Sequence, residues 1–181
     1  MKLMIASDIH GSAYYCEQLL EAFAREQADK LLLLGDLLYH GPRNPLPEGY
    51  DPKAVAALLN EKKQQILCVR GNCDGEVDQM MLEFPIMADY CILSVGKRML
   101  FATHGHQYNQ QHLPMLQPGD VLLHGHTHIP ALEQKGDYIY ANPGSITLPK
   151  QNSARGYLLL EDGVLSLRQL DGTEMGCINL M

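Results

Sequence analysis

The first half of the chain alternates short apolar runs with segments of helical periodicity, and this pattern limits how the chain can fold. The runs cover residues 2–7, 31–34 and 66–69, and each has the length of a buried strand. Between them, apolar side chains recur at helical spacing over residues 16–24 and 55–62. This β-α-β-α-β order predicts parallel strands joined by right-handed crossovers.

The helix starts and the second half of the chain carry further local signals. Ser12 is the predicted N-cap of the first helix, and Asp51 followed by Pro52 predicts the start of the second. Gly96-Lys97 and Asp162-Gly163 are predicted hairpin turns. Their flanking strands, with two shorter ones, are predicted at residues 90–95, 98–103, 121–124, 138–141, 156–160 and 164–170. We therefore expect an α/β fold with two sheets and outer helices, in a single domain over residues 1–181.

Five of the predicted strands are followed directly by a short polar sequence, after residues 2–7, 31–34, 66–69, 98–103 and 121–124. In open α/β sheets, ligands collect beyond the carboxyl ends of the strands, where the loops converge. The polar side chains at these ends are therefore expected to meet at one edge of the protein. The candidate metal ligands are Asp8, His10, Asp36, Asn72, His104, His126 and His128.

The spacing and chemistry of these residues indicate a transition-metal site. Asp8 and His10, like His126 and His128, are two residues apart, and such pairs share one face of an extended chain. Carboxylate, amide and imidazole groups without cysteine suit Mn²⁺, Fe²⁺, Co²⁺, Ni²⁺ or Zn²⁺ better than a soft metal. A divalent transition metal, Mn²⁺ first among the candidates, is therefore the predicted cofactor.

Composition excludes several other classes of function. The formal net charge of -7 argues against binding of extended nucleic acid, which needs a basic face. The five cysteines include no Cys-x-x-Cys pair and are interpreted as free thiols. No apolar run is long enough to cross a bilayer, and no leader-like segment precedes Lys2. We expect a cytoplasmic protein with no membrane partner.

The ordered motifs carry a resemblance to a known family. Asp-x-His, Gly-Asp, Gly-Asn-x-Asp, His-Gly-His and Gly-His-Thr-His follow one another as they do in the calcineurin-like metallophosphoesterases. The sequence Asn142-Pro143-Gly144-Ser145 and the short length make the chain more similar to the small bacterial YfcE-type phosphodiesterases. The similarity runs from Lys2 to about Pro149.

The resemblance implies a four-layer α/β/β/α sandwich with a dinuclear metal centre. By this resemblance, Asp36 bridges two ions, the first held by Asp8, His10 and His128 and the second by Asn72, His104 and His126. It also implies phosphoester hydrolysis by a metal-bridging hydroxide, with a small phosphodiester as the expected substrate. Asn72 is expected to orient a phosphate oxygen as well.

One position departs from the family pattern. Many relatives have Gly-Asn-His-Asp, whereas this chain has Gly71-Asn72-Cys73-Asp74. A neutral thiol is a weak donor and replaces imidazole poorly, so diesters with good leaving groups are the expected substrates. Cys73 is interpreted either as packing beneath the site or as a catalytic thiol. Asp74 is a candidate for orienting a ligand or the loop.

Other interpretations stay open at this stage. The alternative function is a catalytically weak metal-binding scaffold that acts through protein contacts, like the retromer scaffold subunit, although no proposed ligand is missing here. His106 and Tyr108 are candidate substrate contacts or packing residues. Loop 39–50 is a lid, a subunit contact or a rigid surface loop. The connection Gln111–Gly119 is expected to be irregular where relatives often have a crossover helix, and loops 39–50 and 106–118 are expected to determine substrate identity. A homo-oligomer is left open.

Overall fold

The computed structural model describes residues 1–181 and contains eleven strands and three helices. The first half contains β1 (Leu3–Ala6), α1 (Ala13–Arg25), β2 (Lys30–Leu33), α2 (Pro52–Glu61), β3 (Ile66–Cys68) and α3 (Glu76–Met81). The second half contains β4 (Tyr90–Val95), β5 (Arg98–Thr103), β6 (Val121–His124), β7 (Ala131–Lys135), β8 (Tyr138–Asn142), β9 (Gly156–Glu161), β10 (Val164–Gln169) and β11 (Glu174–Asn179).

These strands form two mixed sheets. The first has the order β11-β10-β9-β1-β2-β3, and the second has the order β4-β5-β6-β8-β7. Strand β1 pairs in parallel with β2 and β2 with β3, as the alternating pattern predicts. In the second sheet β6 lies between β5 and β8, and both pairs are parallel. The carboxyl ends of β1, β2, β3, β5 and β6 are thus each free to carry a loop at a sheet edge.

The two helix starts follow the predicted capping chemistry. The Ser12 hydroxyl accepts a hydrogen bond from the Tyr15 N–H at 3.2 Å, and the Asp51 carboxylate accepts one from the Ala54 N–H at 3.0 Å. Each side chain thereby satisfies a backbone donor that the first helical turn leaves free. Pro52 occupies the first turn of α2, where its missing N–H costs nothing.

Alternation along the strands builds the layers. Met4 and Leu31 face α1 and α2, whereas Leu3 and Leu32 face the second sheet, and all four are buried. The outer face of the second sheet carries Phe101, Leu122 and Tyr140. No helix covers that face: Tyr108 and Leu116, from an irregular segment, pack on it instead. The predicted α/β fold of two mixed sheets is confirmed. Helices cover the first sheet only, and the outer helical layer that the resemblance implied over the second sheet is replaced by this irregular segment.

Three elements were not predicted. Strands β7 and β11 lie at sheet edges, where many of their side chains are exposed and carry no apolar signal. Helix α3 is six residues long and buries none of its side chains. No helix in the structure has both the length and the apolar character needed to cross a bilayer.

Candidate metal centre

The loops after five strands bring the seven predicted ligands together. Asp8 and His10 follow β1, Asp36 follows β2, and Asn72 follows β3. On the second sheet, His104 follows β5, while His126 and His128 follow β6. The two sheets stack face to face, so the carboxyl ends of strands from both sheets meet at one edge.

The first group of atoms lies around the Asp8 carboxylate. Asp8 Oδ1 is 3.5 Å from His10 Nε2 and 3.2 Å from His128 Nε2, and these two nitrogens are 3.1 Å apart. Asp36 Oδ2 lies 3.8 Å from His10 Nε2. All four residues are buried. The ligand atoms of Asp8, His10 and His128 lie within 4.8 Å of one another, so they can surround a single ion.

The second group lies around His104. Its Nε2 is 3.0 Å from Asn72 Oδ1, 3.2 Å from His126 Nδ1 and 3.5 Å from Asp36 Oδ2. Asp36 therefore lies within 3.8 Å of a histidine nitrogen from each group. Its other oxygen, Oδ1, accepts a hydrogen bond from the Cys73 N–H at 2.8 Å. Asp36 Oδ2 thus lies close to ligand atoms of both groups.

Backbone carbonyls determine which nitrogen of three histidines carries the proton. The Nδ1 atoms of His10, His104 and His128 face the carbonyl oxygens of Tyr39, Leu34 and Leu148 at 3.0, 2.7 and 2.7 Å. Because a carbonyl oxygen can only accept, each Nδ1 must donate. In the neutral ring, each Nε2 then directs a lone pair into the site.

In the first group, His10 Nε2, His128 Nε2 and Asp8 Oδ1 are therefore all hydrogen-bond acceptors, with no donor between them. Two such lone pairs face each other across the 3.1 Å between His10 and His128, and Asp8 Oδ1 is buried with no hydrogen-bond partner. An orphaned buried oxygen is costly, and a cation would satisfy all three atoms at once. The residues present fit divalent metal ions in both groups.

Two histidines of the site have shifted pKa values. Burial alone would lower the pKa of His10, but the neighbouring Asp8 carboxylate outweighs burial and raises that pKa. A positive charge is thus favoured beside Asp8. Burial and the nearby His104 lower the pKa of His126 to about 4, so the ring is uncharged near neutral pH and one of its two nitrogens has a free lone pair.

The backbone at the ligands differs from the prediction. Asp8, His10, Asp36, His126 and His128 all have φ between 51° and 62°, in the left-handed region. The expectation that the two-residue spacing reflects an extended chain is therefore wrong. The ligands converge because the chain turns at each of them, a conformation that non-glycine residues adopt at a cost.

Residues outside the predicted set hold the Asp8 loop in place. The Ser7 hydroxyl donates to Asp8 Oδ2 at 2.6 Å, and the His126 N–H donates to the same oxygen at 3.0 Å. The Ser145 and Thr147 hydroxyls each donate at 2.8 Å to the carbonyls of Asp8 and Ile9. The turn after β8 thus anchors the loop from behind, and its order Asn-Pro-Gly-Ser was the available signal.

Asp74 lies beneath the ligands instead of facing the substrate side. Its Oδ2 accepts hydrogen bonds from the Asp36 and Gly71 N–H groups at 2.8 and 2.7 Å, and its Oδ1 accepts one from Leu37 at 2.9 Å. It is 2% exposed. Burial raises the pKa of Asp74, while these donors act in the opposite direction. The carboxylate ties the loops after β2 and β3 together.

Cys73 lies at the edge of the site. Its thiol accepts a hydrogen bond from the Asn72 side-chain amide at 3.2 Å. Burial and the charge of Asp36 raise the pKa of Cys73 well above its usual value. The thiolate is therefore strongly disfavoured, and the geometry agrees with a packing role better than with a nucleophile.

A cavity of about 450 Å³ opens beside the ligands. Asp36, Asn72, Cys73 and His126 line it from the site. Four further polar residues that sequence reasoning did not assign also line it: Arg43, Asn44, Thr127 and Lys150. Only one of the ten lining residues is hydrophobic. Thr127 lies within the Gly-His-Thr-His motif, whereas no motif marks Arg43, Asn44 or Lys150, which come from two loops far apart in the sequence.

The two predicted substrate contacts lie elsewhere. The His106 ring centroid is 5.4 Å from that of His104, and burial lowers the pKa of His106. Tyr108 packs edge-on against Phe101 at 5.3 Å, on the outer face of the second sheet. Neither residue lines the cavity beside the ligands. His106 touches the ligand set, whereas Tyr108 serves packing.

A family model for the calcineurin-like phosphoesterase superfamily domain matches residues 1–162. The chain belongs to this superfamily. The predicted resemblance and the prediction of a phosphoesterase enzyme are thereby confirmed. The superfamily implies divalent metals, in agreement with the acceptor-only ligand groups.

Individual relatives of this phosphoesterase cover almost its whole length. It is 51% identical to phosphodiesterase YfcE of Escherichia coli over 94% of this chain and 93% of that protein. The solved structure of YfcE, a phosphoesterase, covers 100% of both chains with a TM-score of 0.96 at 48% identity. Vps29 of Entamoeba histolytica, solved in complex with Zn²⁺, covers 100% of both chains with a TM-score of 0.63 at 19% identity, and shows the fold alone.

Proposed function

We propose that this protein is a phosphodiesterase that hydrolyses a small phosphodiester at a two-metal centre. The observation that carries the proposal is the buried group of acceptor atoms around Asp8 Oδ1, which has no partner within the chain. Similarity to YfcE, named a phosphodiesterase, supports the reaction class.

The seven ligands divide between two ions. Asp8, His10 and His128 would hold the first ion, Asn72, His104 and His126 the second, and Asp36 would contribute to both. When bound, such ions acidify a water and offset the charge on the phosphate oxygens. The ligand set suits Mn²⁺ first, with Fe²⁺, Co²⁺, Ni²⁺ or Zn²⁺ as alternatives.

The chain's own residues limit which esters react. Asn72 presents its amide at the cavity, where it can orient a phosphate oxygen as well as bind metal through Oδ1. Cys73, with its raised pKa, supplies only a weak donor to a departing alkoxide. Leaving groups that need no proton are therefore favoured, and diesters with aryl leaving groups should react fastest.

Matched aryl diesters and monoesters test this function. Purified protein loaded with Mn²⁺ should hydrolyse the diester faster, and a chelator should abolish hydrolysis until Mn²⁺ is restored. His104→Ala removes a buried ligand, whereas His112→Ala removes an exposed histidine outside the ligand set and serves as the control. Metal content should fall in the first variant only.

Each contrary result has a distinct meaning. Faster turnover of the monoester would reject the diesterase assignment. Stoichiometric metal without any hydrolysis would favour the alternative, a metal-binding scaffold acting through protein contacts. Equal metal content in the His104 and His112 variants would reject the ligand set itself.

The proposal also covers the cellular location, domain organisation and substrate size of the enzyme. We infer a cytoplasmic enzyme in which residues 1–181 act as one domain on a small diester, without a membrane partner. Extended nucleic acid is an unfavourable substrate because the protein carries a formal net charge of -7. Gel filtration with light scattering would establish whether it forms a homo-oligomer.

A further inference from the structure

Two cations beside the metal ligands have no anionic partner. Arg43 and Lys150 line the cavity that also contains Asn72 and His126. Neither side chain forms an ion pair with a carboxylate, so both charges are available to a bound anion. Two unpaired cations, brought to one cavity by separate loops, indicate that the cavity accepts negative charge.

The backbone places both cations with some precision. Arg43 lies in a turn closed by a hydrogen bond from the Asn44 N–H to the Gly41 carbonyl at 3.2 Å, and Asn44 also donates to the His40 carbonyl at 2.8 Å. The Lys150 N–H donates to the carbonyl of the ligand His128 at 3.0 Å. Each cation is thus fixed to a loop that contacts the site.

The cavity is larger and more polar than one phosphate requires. Its volume of about 450 Å³ falls in the range of roughly 300–1,000 Å³ typical of pockets that enclose a whole small molecule. Nine of its ten lining residues are not hydrophobic, so the lining can hydrogen-bond to polar groups of a ligand. A substrate that fills this cavity therefore presents polar, anionic groups beyond the reacting phosphate.

We propose that Arg43 and Lys150 bind a second negatively charged group of the substrate and so select diesters that carry one. This inference rests on the proposed function, since the reacting diester is placed at the metal ligands. Arg43 can grip a carboxylate or phosphate with two parallel N–H groups, while Lys150 contributes a point charge. The substrate class is a small phosphodiester with an additional carboxylate or phosphate.

Paired substrates test the selection directly. Carboxyalkyl p-nitrophenyl phosphates of increasing chain length are compared with alkyl p-nitrophenyl phosphates of equal length, on the Mn²⁺-loaded enzyme. The measured quantity is the ratio of kcat/KM for the diester with the carboxylate to that for the alkyl diester without it. We expect this ratio to exceed one at a preferred chain length and to fall about tenfold in Arg43→Gln and in Lys150→Gln.

A control variant removes the same charge elsewhere. Lys97 is exposed and lies in the hairpin at the opposite end of β5 from His104. Lys97→Gln should leave the ratio and the activity unchanged. Arg43→Lys should retain part of the selectivity, because the charge survives but the paired N–H geometry is lost. The ratio should also decrease with added salt.

A binding experiment separates this inference from the proposed function. Calorimetric titration of the Mn²⁺-loaded protein with phosphonoacetate and ethylphosphonate needs no turnover, and only the first should bind more weakly in the Arg43 and Lys150 variants. Active enzyme with an unchanged ratio in both variants would overturn the inference, as would an equal loss in the Lys97 variant. Absent hydrolysis of every diester would overturn the function, and the titration would then decide the anion site alone.

Discussion

Asp74→Asn tests whether the carboxylate beneath the metal ligands positions them. The carboxylate accepts three backbone N–H groups, two on Oδ2 and one on Oδ1. An asparagine has one acceptor oxygen, so it can keep the bonds from Asp36 and Gly71 but must turn its NH₂ towards the Leu37 N–H. A buried donor without a partner costs about 1–3 kcal/mol, which is the expected loss in the free energy of unfolding.

Asp120→Asn is the matched control for this loss. Asp120 is also buried and accepts the Met99 and Gln117 N–H groups, one on each oxygen, both at 2.8 Å. The same substitution should therefore cost a similar free energy in urea unfolding. Only Asp74→Asn should also weaken Mn²⁺ binding, by about 10–100-fold, because only Asp74 holds the backbone of a metal ligand.

Both variants are compared by urea unfolding without metal and by calorimetric titration with Mn²⁺. Equal metal affinity in the two variants, with similar losses of stability, would refute the positioning role. A loss of hydrolysis at saturating Mn²⁺ would also contradict it, because a positioning residue acts through the ligands that saturation restores.

Three further predictions concern other positions. A Cβ at Gly125 would collide with the Ser7 hydroxyl and lie 2.6 Å from Asp8 Oδ2. Gly125→Ala should therefore lower the metal content of the protein at least tenfold. Gly176 has open space around it, so Gly176→Ala should leave the metal content unchanged. Burial alone would raise the pKa of Glu26, but the Tyr157 hydroxyl and the Arg168 guanidinium outweigh it and lower that pKa. The Glu26 carboxylate should therefore stabilise the fold near neutral pH, and this stabilisation should be lost as the pH falls through the lowered pKa. In urea unfolding, the stability difference between wild type and Glu26→Gln should shrink in acid, and a constant difference would contradict this role of Glu26. Cys73→His supplies a proton donor at the cavity and should raise kcat for diesters with poor leaving groups by about tenfold or more. The kcat for aryl esters should change little. No gain with poor leaving groups would mean that protonation of the leaving group does not limit the rate.

The parts of the fold that the sequence predicts are those with a local signal. Ser12 and Asp51 cap helices where a capping residue precedes an apolar helical pattern. The hairpin at Gly96 and Lys97 follows from a turn pair between two runs of β character. Edge strand β7 could not be predicted, because its mostly exposed Ala-Leu-Glu-Gln-Lys sequence lacks any alternation that a buried face would impose.

The identities of the metal ligands could be predicted from the sequence, whereas the cavity residues and the backbone conformation at the ligands could not. Motif order and strand ends were enough to name the seven residues that the structure brings together. The cavity residues Arg43 and Lys150 carried no comparable signal, since they are separated by more than half of the chain and meet only in three dimensions. The left-handed backbone at the ligands was equally hidden, because residue spacing alone does not report φ.

That backbone explains how the ligands can be arranged before any ion arrives. Five left-handed non-glycine residues cost on the order of 5–10 kcal/mol together, at about 1–2 kcal/mol each. Hydrogen bonds oppose this cost: Asp8 N–H donates to Gly35, His10 to Asp36 and Gly11 to Leu37, at 3.1, 2.9 and 2.8 Å, which continues the pairing of β1 with β2 beyond both strands. The backbone strain lowers the stability of the metal-free fold, whereas the facing lone pairs and the unpartnered Asp8 Oδ1 favour a bound cation. Metal binding should therefore stabilise the fold strongly, and chelation should lower Tm most of all in variants that weaken these loop bonds.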